Sequence, residues 1–243
     1  MVGTHLPESS VSSIPNHLVE ALNLLHRDPD PANGLELLRK HLDTGWNPNQ
    51  LHMNSSILNI VSDIPDAVKL LLEYGADPNL GGVGANSRAL SKPNPAYPLM
   101  TAVRCGKVET VRLLLAAGAK VDIAPVLYGA LYRTPVEDDQ SECVEILRLL
   151  LEHGGDKEVD KRQPYPNYDI PRFDTVLQAA VYLGGGKLEE KVRLLVGAGA
   201  RVDVEAFNEP EGTGLVEYVK TEMGEGSEVY KVLKEAEEKQ KDD

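Results

Sequence analysis

Two cysteines, one tryptophan and two phenylalanines are all that 243 residues carry of those types. Cys105 and Cys143 lie far apart and form no C-x-x-C pair, which argues against a disulfide framework and fits free thiols in a reducing compartment. Aromatic residues make up 5% of the chain, and tyrosine supplies nine of the twelve. No apolar run approaches the ~20 residues that a bilayer-crossing helix needs. The N-terminal stretch MVGTHLPESSVSSIPNH has no apolar core and does not read as a secretory signal. The expected location is therefore the cytoplasm or the nucleus. Positive charge is also scarce. Against 38 Asp and Glu stand 25 Lys and Arg, a net of −13, so neither nucleic acid nor a membrane surface is an expected partner. Residues 205–243 hold twelve of the acidic residues and five lysines, more than half of that excess.

Catalytic and metal-binding patterns are equally thin. DTG (Asp43–Gly45) occurs once, whereas aspartic-protease chemistry needs two paired carboxylates. GGVG and LGGGK are glycine-rich but lack the G-x-x-x-x-G-K-[ST] spacing that cradles a phosphate; LGGGK reads as a stretched turn between helices. None of His5, His17, His26, His41, His52 and His153 pairs with Cys or carboxylate at metal-ligand spacing. The expectation is no metal, no cofactor and no catalytic residue. His41 falls on an apolar helical stripe, and Cys143 opens an apolar helix; both read as packing residues.

What the chain does have is repetition. YPLMTAVRCGKVETVRLLLAAGAK (Tyr97–Lys120) shares its skeleton with AVKLLLEYGADPN (Ala67–Asn79), CVEILRLLLEHGGDK (Cys143–Lys157) and TVLQAAVYLGGGKLEEKVRLLVGAGARVD (Thr175–Asp203). The first apolar residue of the V-x-L-L-L segment falls at Leu38, Val68, Val111, Leu147, Val192 and, loosely, Tyr230. The intervals are 30, 43, 36, 45 and 38 residues. Apolar residues at i, i+3 and i+4 give each segment one buried helical face. Gly75, Gly118, Gly154 and Gly199 stand where a helix can close with positive φ.

These residues resemble the ankyrin repeat, whose pattern is T-P-L-H-x-A-A-x-x-G followed by V-x-L-L-L-x-x-G-A-D-x-N. The resemblance implies an all-α fold, a solenoid of stacked helix-turn-helix units with finger loops. It implies a flexible N-terminus at 1–15 and a single ankyrin-repeat domain at 16–240. The units fall at approximately 16–50, 51–80, 97–123, 124–160, 174–204 and 213–240, with long finger insertions at 80–96 and 159–174. The family histidine is absent throughout: Met100, Leu127, Gln178 and Val216 stand near its place. Apolar contact is the expected substitute for its inter-repeat hydrogen bond.

Uneven connectors are where function is expected, because loops that depart from a regular scaffold commonly carry it. In the family arrangement the two long fingers flank a short one and enclose a notch. Its floor is PVLYGALYR, with Tyr128 and Tyr132. One wall offers Tyr165, Tyr168 and Phe173, the other Arg88, Lys92 and Tyr97. The two positions after A-A face the groove as well, which adds Arg104 with Cys105, and Tyr182 with Leu183. Tyr and Arg dominate binding hot spots. The function so implied is a non-enzymatic protein–protein interaction module, an adaptor or chaperone-like scaffold. Its partner is another protein, presented as an extended or partly basic segment. The alternative is a small-molecule site, or a cofactor-independent isomerase or cyclase, using the Tyr/Arg-lined notch. Trp46 has two readings, a finger contact or a seal on the N-terminal end.

Overall fold

Each repeat skeleton becomes a helical pair because its apolar residues fall on one face. The computed structural model describes residues 15–27, 31–83, 95–105, 107–123, 125–132, 140–162 and 173–242. Within these, twelve α-helices follow one another as six pairs. They are α1 (Asn16–Arg27) with α2 (Ala32–Asp43), α3 (Ile57–Ile60) with α4 (Pro65–Glu73), and α5 (Pro98–Cys105) with α6 (Val108–Ala116). Then come α7 (Val126–Leu131) with α8 (Ser141–Glu152), α9 (Val176–Leu183) with α10 (Leu188–Gly197), and α11 (Leu215–Met223) with α12 (Glu228–Asp242). The fold is that of stacked helix-turn-helix units.

The second helix of each pair carries the repeating core. Leu38, Val68, Val111, Leu147 and Val192 are each fully buried. Tyr230 is half-buried, and Leu233 takes over the buried role in the last pair. The helices end alike. In α4, Gly75 (φ 83°) donates to the Leu72 carbonyl and Ala76 to the Leu71 carbonyl, at 3.0 and 2.9 Å. In α6, Gly118 and Ala119 do the same to Leu115 and Leu114; in α10, Gly199 and Ala200 do so to Val196 and Leu195. This pair of hydrogen bonds satisfies carbonyls that the helix end leaves free, and the left-handed residue it needs is glycine.

The chain forms two compact units, residues 1–98 and 99–243. In the first, α1 packs on α2, and α2 on α4. Trp46 lies against His41, ring centroids 5.2 Å apart, and His41 in turn contacts the His17 ring of α1. The tryptophan thus packs on the first helical pair, while its indole N–H donates to Gln50 Oε1 at 2.7 Å. Two short antiparallel strand pairs follow the helical pairs of this unit. β1 (Leu51–His52) pairs with β2 (Ser55–Ser56), and β3 (Gly82–Val83) with β4 (Pro95–Ala96). Asn49 ties successive turns together: its amide donates to the Gly75 carbonyl and its oxygen accepts from the Asp77 N–H at 2.7 Å.

In the second unit α6, α8, α10 and α12 pack in succession, and α7 packs on α9. Asp160 repeats the Asn49 device by accepting from the Arg201 N–H at 2.9 Å. The stretch LGGGK forms the turn between α9 and α10. From α10, Lys191, 2% exposed, reaches back to the Gly184 carbonyl in this turn and to Gln140 Oε1. Cys143 is buried, its thiol donating to the Ala130 carbonyl.

Candidate functional site

Six of the nine residues singled out from the sequence lie within the described residues. Arg88, Tyr165 and Tyr168 lie outside them, as does Lys92, and the side chain of Cys105 is not described. Tyr97 belongs to the unit 1–98, the other five to the unit 99–243. Tyr97 lies so close over Gly81 that a Cβ there would stand 2.5 Å from its ring, so it braces the base of the second finger.

Arg104, Tyr132 and Tyr182 occupy equivalent places at the C-terminal ends of three successive first helices, Tyr132 as the residue just after α7. Each follows a small or apolar pair: Ala102–Val103 and Ala180–Val181 are buried, and in Ala130–Leu131 the alanine is buried and the leucine partly so. The helices come close through small residues: a Cβ on Gly129 of α7 would meet Met100 of α5 at 2.9 Å. Arg104 is exposed and makes no ion pair among the described residues. Tyr182 is 43% exposed, with Leu183 beside it at 36%. Tyr132 is half-buried, and its hydroxyl is enclosed without a hydrogen-bond partner among the described residues. Burial raises its pKa well above the ordinary phenol value, so it stays neutral.

Tyr128 does something other than line a groove. It is 3% exposed, and its hydroxyl donates to the Lys161 carbonyl at 2.9 Å. Gln178 of α9 makes the equivalent reach, its amide donating to the Glu205 carbonyl at 2.7 Å while its oxygen accepts from the Asp174 N–H at 2.8 Å. Both stand two residues into their helices, where the repeat pattern has histidine. The expected apolar substitute is thus corrected at these two pairs: a tyrosine and a glutamine supply the bond to the next finger. The register of PVLYGALYR follows, with Tyr128 rather than Leu127 at the histidine place.

Phe173 is likewise enclosed, at 0% exposure. It supports a three-ring cluster from below. Its centroid lies 5.3 Å from Tyr182 and 4.8 Å from Phe207, and Tyr182 meets Phe207 at 4.8 Å and 75°. Phe207 was not singled out from the sequence. Its signal was there: the only two phenylalanines of the chain sit just before α9 and in the connector just after α10. The connector that carries Phe207 is held by Ala206 N–H to the Thr213 carbonyl and Leu215 N–H to the Val204 carbonyl, both 2.8 Å.

A cavity of about 270 Å3 borders Tyr128 and is lined also by Asp122, Ile123, Pro125, Glu158 and Arg162, but by neither Tyr132 nor Tyr182. Two of its charges are already paired, Glu158 with Lys161 at 2.6 Å and Arg162 with Asp174. Among the described residues no group of three or more His, Cys, Asp or Glu is placed to hold a metal ion. None of the described helices is long and apolar enough to cross a membrane.

A family model described as the ankyrin repeat matches residues 96–124. No curated protein matches the chain in sequence. Solved structures do match in fold. An ankyrin repeat domain from Acinetobacter baumannii AYE has a TM-score of 0.61 at 20% identity, covering 91% of this chain and 97% of that one. The human ASB11 ankyrin repeat domain gives 0.55 at 22% identity, covering 91% and 83%. The ankyrin repeat domain of Bcl-3, a member of the IkappaB protein family, gives 0.53 at 18% identity, covering 92% and 99%. One ankyrin repeat is matched in sequence at 96–124, and the helical pairs on either side share the fold of ankyrin repeat domains.

Proposed function

We propose that this protein is a non-enzymatic interaction module that binds an extended, partly basic polypeptide segment along the first-helix row of the unit 99–243. Ankyrin repeat domains are in general protein–protein interaction modules. The observation that carries the reading here is the recurrence of Arg104, Tyr132 and Tyr182 at equivalent places at the C-terminal ends of α5, α7 and α9. Neighbouring packed helices lie about 8–10 Å apart. An extended peptide rises about 3.3 Å per residue. The row from Arg104 to Tyr182 therefore matches roughly six residues of an extended partner. Large side chains projecting from a packed scaffold need little ordering on binding, which favours affinity. The net charge of −13 favours a segment that carries positive charge.

The test is selection of binders from a random peptide display library, followed by affinity measurement on the wild type and on Arg104→Ala/Tyr132→Ala. The double variant is expected to lose about tenfold or more in affinity, the scale of a hot-spot pair. Its helical circular dichroism should stay intact. A control at Arg148, an exposed residue on the second-helix row, should bind as wild type. No enrichment, or equal affinity for the double variant, overturns the reading.

A further inference from the structure

Tyr182 and Phe207 stand at 75° with centroids 4.8 Å apart, two walls of an aromatic corner whose base is the enclosed Phe173. Core packing closes one side of Tyr182 but leaves 43% of the residue open to solvent. Aromatic faces carry negative electrostatic potential and attract a cation placed within about 6 Å of the ring centre. The surroundings reinforce that sign. Between Arg201 and Lys220 the chain carries Asp203, Glu205, Glu209, Glu211 and Glu217 and no basic residue. The two flanking cations are already engaged. Arg201 holds Asp203 through two bonds of 2.9 Å, and Lys220 pairs with Glu225 at 3.0 Å. The carboxylates of Glu209, Glu211, Glu217 and Glu222 make no ion pair among the described residues. Tyr218 lies within electrostatic reach of Tyr182, Glu209 and Glu222 together. Its pKa is raised, first by burial and then by those two carboxylates, so the hydroxyl stays neutral and can still donate.

We propose that the Tyr182–Phe207 corner, with the Tyr218 hydroxyl and the carboxylates of Glu209 and Glu222 within electrostatic reach of its Tyr182 side, receives the guanidinium or ammonium group of a basic residue in the bound peptide. This rests on the reading that the first-helix row takes a polypeptide, and it assigns one end of that row a side-chain preference. The corner supplies the π faces, and the carboxylates supply counter-charge without an internal cation to displace. A negatively charged residue at this point of the partner meets repulsion from the same carboxylates, so the corner selects as well as attracts.

The probe is a blocked pentapeptide with one arginine between glycines, compared with its citrulline analogue, which keeps the shape and loses the charge. Fluorotyrosine-labelled protein reports by fluorine NMR, with the two signals assigned from Tyr182→Phe and Tyr218→Phe. The arginine peptide is expected to move both signals saturably, and the citrulline peptide to leave them in place. Tyr182→Phe keeps the ring, so its affinity, read through the Tyr218 signal, should stay within about twofold of wild type. Tyr182→Leu keeps apolar bulk over Phe173 and loses the π face, and should weaken binding about fivefold. Glu209→Gln/Glu222→Gln should weaken it about threefold. Equal shifts with citrulline, or wild-type affinity in Tyr182→Leu, overturn the assignment. So do unmoved tyrosine signals; if display-selected peptides then still bind through Arg104 and Tyr132, the groove reading stands and only the corner falls.

Discussion

The Tyr128 hydroxyl donates to the main-chain carbonyl of Lys161, 33 residues further on, at 2.9 Å. Gln178 makes the corresponding bond to Glu205. Each links a first helix to the following finger. Tyr128→Phe removes one donor and keeps the ring, so it should cost about 1–2 kcal/mol in chemical denaturation. Gln178→Leu breaks two bonds and should cost more. Hydrogen exchange around Lys161 and Glu205 should quicken in the respective variants. Unchanged stability in both would mean that apolar packing alone joins these pairs.

Leu114 is fully buried in α6, at the centre of the matched repeat. Leu114→Ala should destabilise the protein by about 2–5 kcal/mol, the range of a large-to-small truncation in a packed core. Equilibrium urea unfolding reads this directly.

The Tyr132 hydroxyl is enclosed without a partner among the described residues. An unsatisfied buried hydroxyl costs free energy, and phenylalanine has none to satisfy. Tyr132→Phe should therefore be neutral or raise stability by about 1 kcal/mol. A clear loss of stability would show that the hydroxyl makes a bond in solution.

His41 is 6% exposed, and its Nδ1 lies 2.6 Å from His17 Nε2. Burial, and then the neighbouring His17 ring, hold its pKa below the usual 6.5. As pH falls through about 6.5 the unfolded chain takes up the proton first. Native stability should fall from there downward and level off once the folded-state pKa is passed. His41→Gln removes the titration and should flatten the slope between about pH 7.5 and 5.5. A wild-type slope in that variant would assign the effect to other groups.

The architecture was readable because it rests on apolar spacing. Leu38, Val68, Val111, Leu147 and Val192, picked out as the first apolar residue of each V-x-L-L-L segment, all prove fully buried. Gly75, Gly118, Gly154 and Gly199 all take positive φ, between 83° and 96°. The inter-repeat bond was missed because a motif compares residue identities, whereas the fold needs only a donor of sufficient reach. Tyrosine and glutamine both provide one. Tyr128 and Phe173 were read as lining because their types are common at binding surfaces; burial makes one a brace and the other a support. Phe207 was missed because attention went to the longest connectors, while the ring that meets Tyr182 comes from an ordinary one.

The most direct measurement is the affinity of a display-selected peptide for the wild type and for Arg104→Ala/Tyr132→Ala, taken alongside circular dichroism. The expected result is a loss of about tenfold or more with the helical signal unchanged. Undiminished binding, or a double variant that no longer folds, would contradict the assignment of these residues to a peptide-binding row.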